Sequence, residues 1–352
     1  MSFASYLSGR LLPSRSRRSR AWLAAAVASR SGLLSALRAA RRNRGLLALT
    51  YHRIGDPDRC LVDGNNFSST EKELAAHLAL LQRWSRITTL EEVEAHYAAG
   101  RAFSGSRALI TFDDAYRDNY ARAFPALRRT GASAVFFVPT GLIEQRHLPW
   151  WDRIAYAVKQ CRSETLRPSY PGDLEVKEVR TRPAAAVWAL LRRFKSDAAL
   201  DKERFVAAIE EAAGARAADD DRVGELFASW DELREMARGG MEIASHTHTH
   251  RLLAHLPLHE QREELGRSRE ILREKLGVTA RAVAYPVGGR GHFNAETRTA
   301  LRETGYRLGF SHYGGWNPRA ADAYDIRRAR VDFTVDRVLV EAAVSLPSYF
   351  AR

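Results

Sequence analysis

Residues 108–114 read Ala-Leu-Ile-Thr-Phe-Asp-Asp, an apolar run that closes on two adjacent carboxylates. Side chains alternate along a strand, so Asp113 and Asp114 cannot share one face of a regular sheet. At a strand's end, where the chain turns, both can line one cavity. That placement suits a division of labour, one Asp binding a cation and the other handling protons. An Asp-Asp pair also caps ordinary turns, so the reading depends on what surrounds it.

Outward from this stretch, short apolar or β-branched runs alternate with amphipathic helical stretches, the pattern of an α/β protein. Strands are expected at 46–52, 108–113, 134–139, 241–246, 282–286, 307–311 and 326–331. Helices are expected at 71–84, 90–98, 117–129, 230–238, 257–276 and 295–303. Gly131, Gly240, Gly277 and Gly305 each follow a helical stretch, as C-terminal caps do. Residues 145–228 break the rhythm. They show no strand pattern and read as a helical insertion, a lid or wall of a site, opening with Trp150-Trp151. The strand ends are His52, Asp113 with Asp114, Thr140, His246, and Tyr285 before Pro286. Ionisable groups thus gather where a parallel barrel builds its active site, at the strand C-termini.

Ser245-His246-Thr247-His248-Thr249-His250 supplies the second set of chemistry-bearing residues. In a turning segment His246 and His250, four apart, share a face; in an extended one His248 joins them. The preceding strand favours a strand-to-loop turn, so His246 and His250 are the expected ligands, with His248 in reserve. One Asp and two His form a three-ligand set with an open position, as in catalytic zinc sites. The second Asp can then act as the base for water, and His52 as the acid for the leaving group. A metal-dependent hydrolase follows from these residue types.

Composition narrows the alternatives. At 352 residues, 45% hydrophobic and 28% charged, the chain has an ordinary globular make-up. Cys60 and Cys161 form no CxxC pattern, and no apolar run approaches the roughly 20 residues needed to span a bilayer. Of the net charge of +13, ten Arg lie in residues 1–44, which carry no acidic residue. This arm has Leu33, Leu34 and Leu37 at helical spacing among Arg30, Arg38, Arg41 and Arg42. A basic amphipathic arm of this kind suits an anionic membrane surface, or packing on the domain. Ser16-Arg17-Arg18, the apolar run 21–28 and Ala26-Val27-Ala28 are the basis of an alternative reading as a weak export signal. The arm lacks interleaved aromatics, so nucleic acid is not an expected partner. A cytoplasmic or inner-membrane-peripheral location is expected, with export as the alternative.

The same residues resemble the polysaccharide deacetylases, the NodB-homology domain of carbohydrate esterase family four. Thr111-Phe112-Asp113-Asp114 is similar to the family's first motif and His246–His250 to its H-[ST]-x-x-H motif. Ala284-Tyr285-Pro286-Val287-Gly288 stands where its third motif belongs. Trp230, Met236, Gly240 and Phe137-Val138-Pro139-Thr140-Gly141 fit as well, so the resemblance covers about 46–144 and 229–332.

It implies a distorted (β/α) barrel of seven or eight strands over 45–352, interrupted by the insertion. It also implies metal-dependent removal of acetyl groups from a glycan, N-acetyl before O-acetyl. Carried over, Asp113 is the base and Asp114, His246 and His250 hold a divalent ion, zinc before cobalt, nickel or iron. Tyr285, Pro286 and Gly288 line the acetyl pocket. Tyr116, Trp150, Trp151, Tyr285 and Trp316 are candidates for stacking on sugar, Trp150-Trp151 above all, because adjacent Trp cannot both face one core.

Two departures stand out. The Arg that orients the base is replaced by Ala284, leaving Arg328 to supply the charge from elsewhere. The late Leu-x-His motif is missing. Leu49-Thr50-Tyr51-His52 looks like its permuted counterpart in exopolysaccharide-biosynthesis deacetylases, with His312 as the fallback acid. The alternatives are a hydrolase of small linear or cyclic amides, or a non-catalytic glycan- or membrane-binding member.

Overall fold

The computed structural model describes residues 20–40, 45–60, 62–216, 218 and 223–350. Two compact units make it up: Asp56–Asn66 with Gln145–Leu226, and the rest of the described chain. Ser16-Arg17-Arg18 and Arg41-Arg42 lie outside the described residues. No helix among the described residues is long and apolar enough to cross a membrane.

The larger unit is a curled parallel sheet of β1 (Gly45–Tyr51), β2 (Ser106–Asp113), β3 (Val135–Val138), β4 (Glu242–Ser245), β5 (Ala282–Ala284), β6 (Leu308–Phe310) and β7 (Ala329–Arg330). They lie side by side as β6-β5-β4-β3-β2-β1-β7. Every step in that order is parallel. The curl is bridged by one short segment, because Ile326 pairs with Phe310 of β6 while Ala329 and Arg330 pair with Leu49 and Thr50 of β1. β1 and nearly all of β2 are buried on both faces. Burial of that kind explains why they read as continuous apolar runs rather than alternating ones.

A period of two determines the interior. Leu46 and Ala48, Leu109, Val135 and Phe137, Ala244, Ala282 and Ala284, Leu308 and Phe310, and Ile326 form one apolar cluster. Continuing each series by twos toward the strand C-terminus brings Thr50 and His52, Thr111 and Asp113, His246, His312 and Arg328 to the same side. The apolar plug and the polar mouth are successive layers of one barrel.

Caps set the helix ends. Thr70 with Glu73 and Ser229 with Glu232 form capping boxes before the helices Glu71–Trp84 and Trp230–Arg238. Gly131 and Gly277 stop their helices in the left-handed conformation. The helix expected at 117–129 begins instead as a wide π-type turn, Asn119–Ala123, before Phe124–Thr130. That turn places the Asn119 amide against the His52 carbonyl at 2.7 Å.

The basic arm forms two helices, α1 (Arg20–Arg30) and α2 (Leu33–Ala40). Ala25 and Leu34 pack on Leu339, Ala342 and Ala343 of the C-terminal helix Arg337–Ser345.

In the smaller unit the helices Trp150–Gln160, Pro183–Ser196 and Lys202–Ala213 pack around Trp151, Leu190, Phe194 and Phe205. The expectation of a strand-free insertion is corrected: Thr165–Leu166 pairs antiparallel with Val176–Lys177. Two residues per strand are too few to show alternation in sequence.

Candidate active site

The end of β2 separates the two carboxylates. Asp113, the last strand residue, points into the barrel. Asp114 follows with φ 72° and Ala115 with φ 53°, a left-handed turn that swings the second carboxylate round to the same cavity. Asp113 is 2% exposed and Asp114 4%.

Arg328, 0% exposed, grips Asp113 through both guanidinium ends. Nη1 donates to Oδ1 at 2.7 Å and Nη2 to Oδ2 at 2.8 Å. Nη1 also donates to Thr111 Oγ1 at 3.0 Å and Nε to the Ser311 carbonyl at 3.1 Å. The planar fork matches the carboxylate edge and is itself held in register. Burial alone would raise the Asp113 carboxyl, but Arg328, helped by His246 and His52, more than reverses this and leaves it below the usual carboxylate range.

Asp114 belongs to a different group. Its Oδ1 lies 3.5 Å from Nε2 of His246 and 3.5 Å from Nε2 of His250. The three ligand atoms lie within 4.8 Å of one another, and all three residues are buried. The Ala284 carbonyl lies 2.8 Å from His246 Nδ1. A carbonyl can only accept, so Nδ1 carries the proton and the Nε2 lone pair faces Asp114. Ala284 therefore lacks the Arg side chain of the related motif, yet its backbone orients a ligand. Burial, opposed by Asp113 and this hydrogen bond, lowers the His246 pKa and keeps the ring in the neutral form that metals take. One carboxylate oxygen and two neutral imidazole nitrogens suit a divalent ion of the zinc type.

The histidine loop is strained and clamped. Thr247 (φ 64°) and His250 (φ 58°) are left-handed. A β-branched residue rarely adopts that conformation. Thr247 N donates to Ser245 Oγ at 3.1 Å, and His250 N donates to Thr247 Oγ1 at 3.2 Å. Glu264 on α3 (Leu258–Leu276) accepts from the backbone N–H of His248 at 3.1 Å and of Thr249 at 2.8 Å. The His248 ring turns away, with Nδ1 3.0 Å from Thr140 Oγ1. The loop thus brings together His246 and His250 and leaves the reserve candidate outside.

His52 stands across the mouth, its ring centroid 5.5 Å from that of His312. Burial pushes the His52 ring well below its ordinary value; Asp113 pulls it up, while His312, Arg330 and Arg328 push it further down. Gly288, φ 62°, presses on His312: a Cβ there would lie 2.7 Å from the His312 Cβ and 2.8 Å from its N. The Pro286–Gly288 turn thereby fixes where His312 sits, with His312 N donating to the Gly288 carbonyl at 2.7 Å.

Four of the five aromatic stacking candidates are packed against groups of the protein itself. Tyr285 is buried, stacks on Phe293 at 4.3 Å and donates to the Tyr324 carbonyl at 2.8 Å. Tyr116 is buried between Phe227 and the Arg53 guanidinium. Trp151 is buried, and Trp150 lies edge-on to it while stacking on Phe194 at 4.0 Å. Adjacent tryptophans can share one core when they meet at right angles; Tyr116, Trp151 and Tyr285 are buried, and half-buried Trp150 has one face on Phe194.

Residues 100–309, more than half of the chain, match the family model described as polysaccharide deacetylase. The chain belongs to the polysaccharide deacetylase family. YxkH of Bacillus subtilis (strain 168), named for the same family, is 22% identical over 284 residues, covering 80% of this chain and 70% of that one. Among solved structures, the Streptococcus pyogenes deacetylase PplD in complex with acetate is similar at TM-score 0.55 and 17% identity, covering 88% of this chain and 99% of that one. IcaB from Ammonifex degensii gives 0.54 and 21%, over 86% and 98%. The BpsB deacetylase domain from Bordetella bronchiseptica gives 0.52 and 20%, over 83% and 97%. These likenesses establish the deacetylase fold.

Sequence reasoning missed Glu264, Ser311 and Thr111 as supports. Only Thr111 carried a signal, two residues before Asp113 on the interior face.

Proposed function

We propose that this member of the family removes acetyl groups, N-acetyl before O-acetyl, from a polysaccharide or oligosaccharide. The observation that carries the reading is the separation of the adjacent carboxylates, Asp113 held by Arg328 and Asp114 facing His246 and His250. Asp114, His246 and His250 would hold a divalent ion, zinc before cobalt, nickel or iron. Bound there, the ion would supply Lewis acidity toward the acetyl carbonyl and acidify water.

The chain's own groups handle the protons. Asp113, kept ionised and fixed in direction by Arg328, takes a proton from the attacking water. As water adds to the carbonyl carbon and the C–N bond breaks, protonated His52 gives its proton to the departing amine. Acetic acid leaves and releases its proton to solvent as acetate, and the proton on Asp113 balances the one lost by His52. A lowered pKa makes protonated His52 a strong donor, so turnover should fall as pH rises. The non-catalytic reading drew on the missing orienting Arg, and the Arg328–Asp113 fork takes away that ground.

Acetate release across N- and O-acetylated oligosaccharides, before and after chelation and with metal restored, tests the proposal. Release should require metal and vanish in His246→Ala. Full activity in metal-free protein, or no acetate from any glycan, would overturn it.

A further inference from the structure

Four large apolar side chains are exposed among the described residues, and three of them lie on the helical hairpin of α1 and α2. Leu23 is 52% exposed, Val27 68% and Leu33 50%, whereas Trp188 is in the other unit. Leu23 and Val27 are one helical turn apart, and exposed Arg30 continues their face.

The inner face of the hairpin is engaged with the rest of its unit. Trp22 Nε1 donates to Asp336 at 2.7 Å, Ser29 Oγ to Glu341 at 2.7 Å, and Arg38 reaches Glu341 at 3.2 Å while lying over the Trp84 ring. The acidic groups that meet the hairpin are therefore bound to its inner side. Its outer side carries Leu23, Val27 and Leu33 with exposed Arg30, and by sequence the first 44 residues hold ten Arg and no acid.

From this we infer that the outer face of the α1–α2 hairpin docks on an anionic lipid bilayer, Leu23, Val27 and Leu33 entering the interface while Arg30 meets the headgroups. Docking through this face makes the protein peripheral to a membrane. Charge decides the occupant. A second copy would bring the same acid-free, Arg-bearing face against itself, and like charges repel, whereas anionic headgroups complement it. The shallow apolar stripe suits a helix lying in the interface plane rather than one crossing it. The inference stands apart from the proposed chemistry, because lipid binding is read without turnover.

Co-sedimentation of the full chain with vesicles tests it, using phosphatidylcholine alone and an equal mixture with phosphatidylglycerol. Binding should require phosphatidylglycerol and weaken with salt. The triple variant Leu23→Gln, Val27→Gln, Leu33→Gln should lower partitioning at least about tenfold. Its acetate release from a soluble oligosaccharide should match the parent. Should that variant misfold, Arg30→Glu, exposed and outside the packed seam, must also weaken binding to the mixed vesicles. No binding by the parent, equal binding to both vesicles, or an unaffected Arg30→Glu would overturn the inference. So would a concentration-dependent dimer that the triple variant abolishes, since the face would then cover a second copy.

Discussion

Replacing Arg328 by Met removes a fully buried guanidinium that donates to Asp113, Thr111 and Ser311. The fork to Asp113 accounts for most of the effect, because the carboxylate stays 2% exposed with its counter-charge gone. Breaking a buried pair in this way costs about 3–5 kcal/mol. Asp113 can relieve part of that by taking a proton. With Arg328 absent, burial, already the largest influence on this carboxyl, is opposed only by His246 and His52, and the pKa rises.

The sign follows from linkage. In the parent, a carboxyl held below its unfolded value adds stability above pH about 4, lost as pH falls through its folded pKa. In Arg328→Met the raised carboxyl is a penalty above its new pKa, relieved on acidification. The stability gap between the two proteins should therefore narrow from pH 7 toward pH 4. Urea unfolding across that range measures the gap, and kcat/KM against pH measures the base. The acid limb of the activity profile should move to higher pH, and kcat should drop by about a hundredfold as Asp113 loses its alignment. The double variant Asp113→Asn, Arg328→Met should be more stable than Arg328→Met alone, since no charge is left stranded. The reasoning fails if Arg328→Met costs under about 0.5 kcal/mol, or leaves the acid limb in place.

Asp113→Asn should retain about one divalent ion per chain while losing turnover, and Asp114→Asn should lose both; elemental analysis beside acetate release separates them. His248→Ala should keep the ion, because its ring bonds Thr140 rather than the ligand group, and a metal-free variant would contradict the assignment. Glu264→Ala removes the one acceptor shared by the His248 and Thr249 amides and should weaken metal affinity about 10–100-fold, read by chelator competition. His77, fully buried with Tyr51 Oη 3.2 Å from its Nδ1, has its pKa pushed down by burial to about 4. The unfolded chain binds that proton first, so His77 should remove about 3 kcal/mol of stability as pH falls from about 6.5 to 4. His77→Gln should flatten that slope in urea titrations, and an unchanged slope would refute the assignment.

Much of the site was legible because a strand's period and its end are local properties. The Ala108–Asp113 run, the polar strand termini and the His246–His250 spacing follow from chain geometry alone, and they pointed to a parallel barrel with its chemistry at one mouth. The expectation of a turn was enough to rank His248 behind His246 and His250, but the means that hold the loop in that shape, a left-handed Thr247 and Glu264 sixteen residues away, left no local signal. Where the aromatic candidates pack was hidden for a related reason. An exposed and a buried Trp look alike in sequence, and stacking partners such as Phe194 or Phe293 are set by helices that meet only in three dimensions.

The sequence by itself determined the strand order of chemistry, the separation of Asp113 from Asp114 by a turn, and the acid-free character of the arm. Only the tertiary structure decided that Arg328 serves Asp113. These residues are 215 positions apart and become neighbours because the segment from Ile326 to Arg330 bridges the open side of the curled sheet between β6 and β1. No local spacing encodes that closure. It arises from backbone pairing at two sheet edges, and it replaces the arginine missing at Ala284 with one delivered from across the barrel.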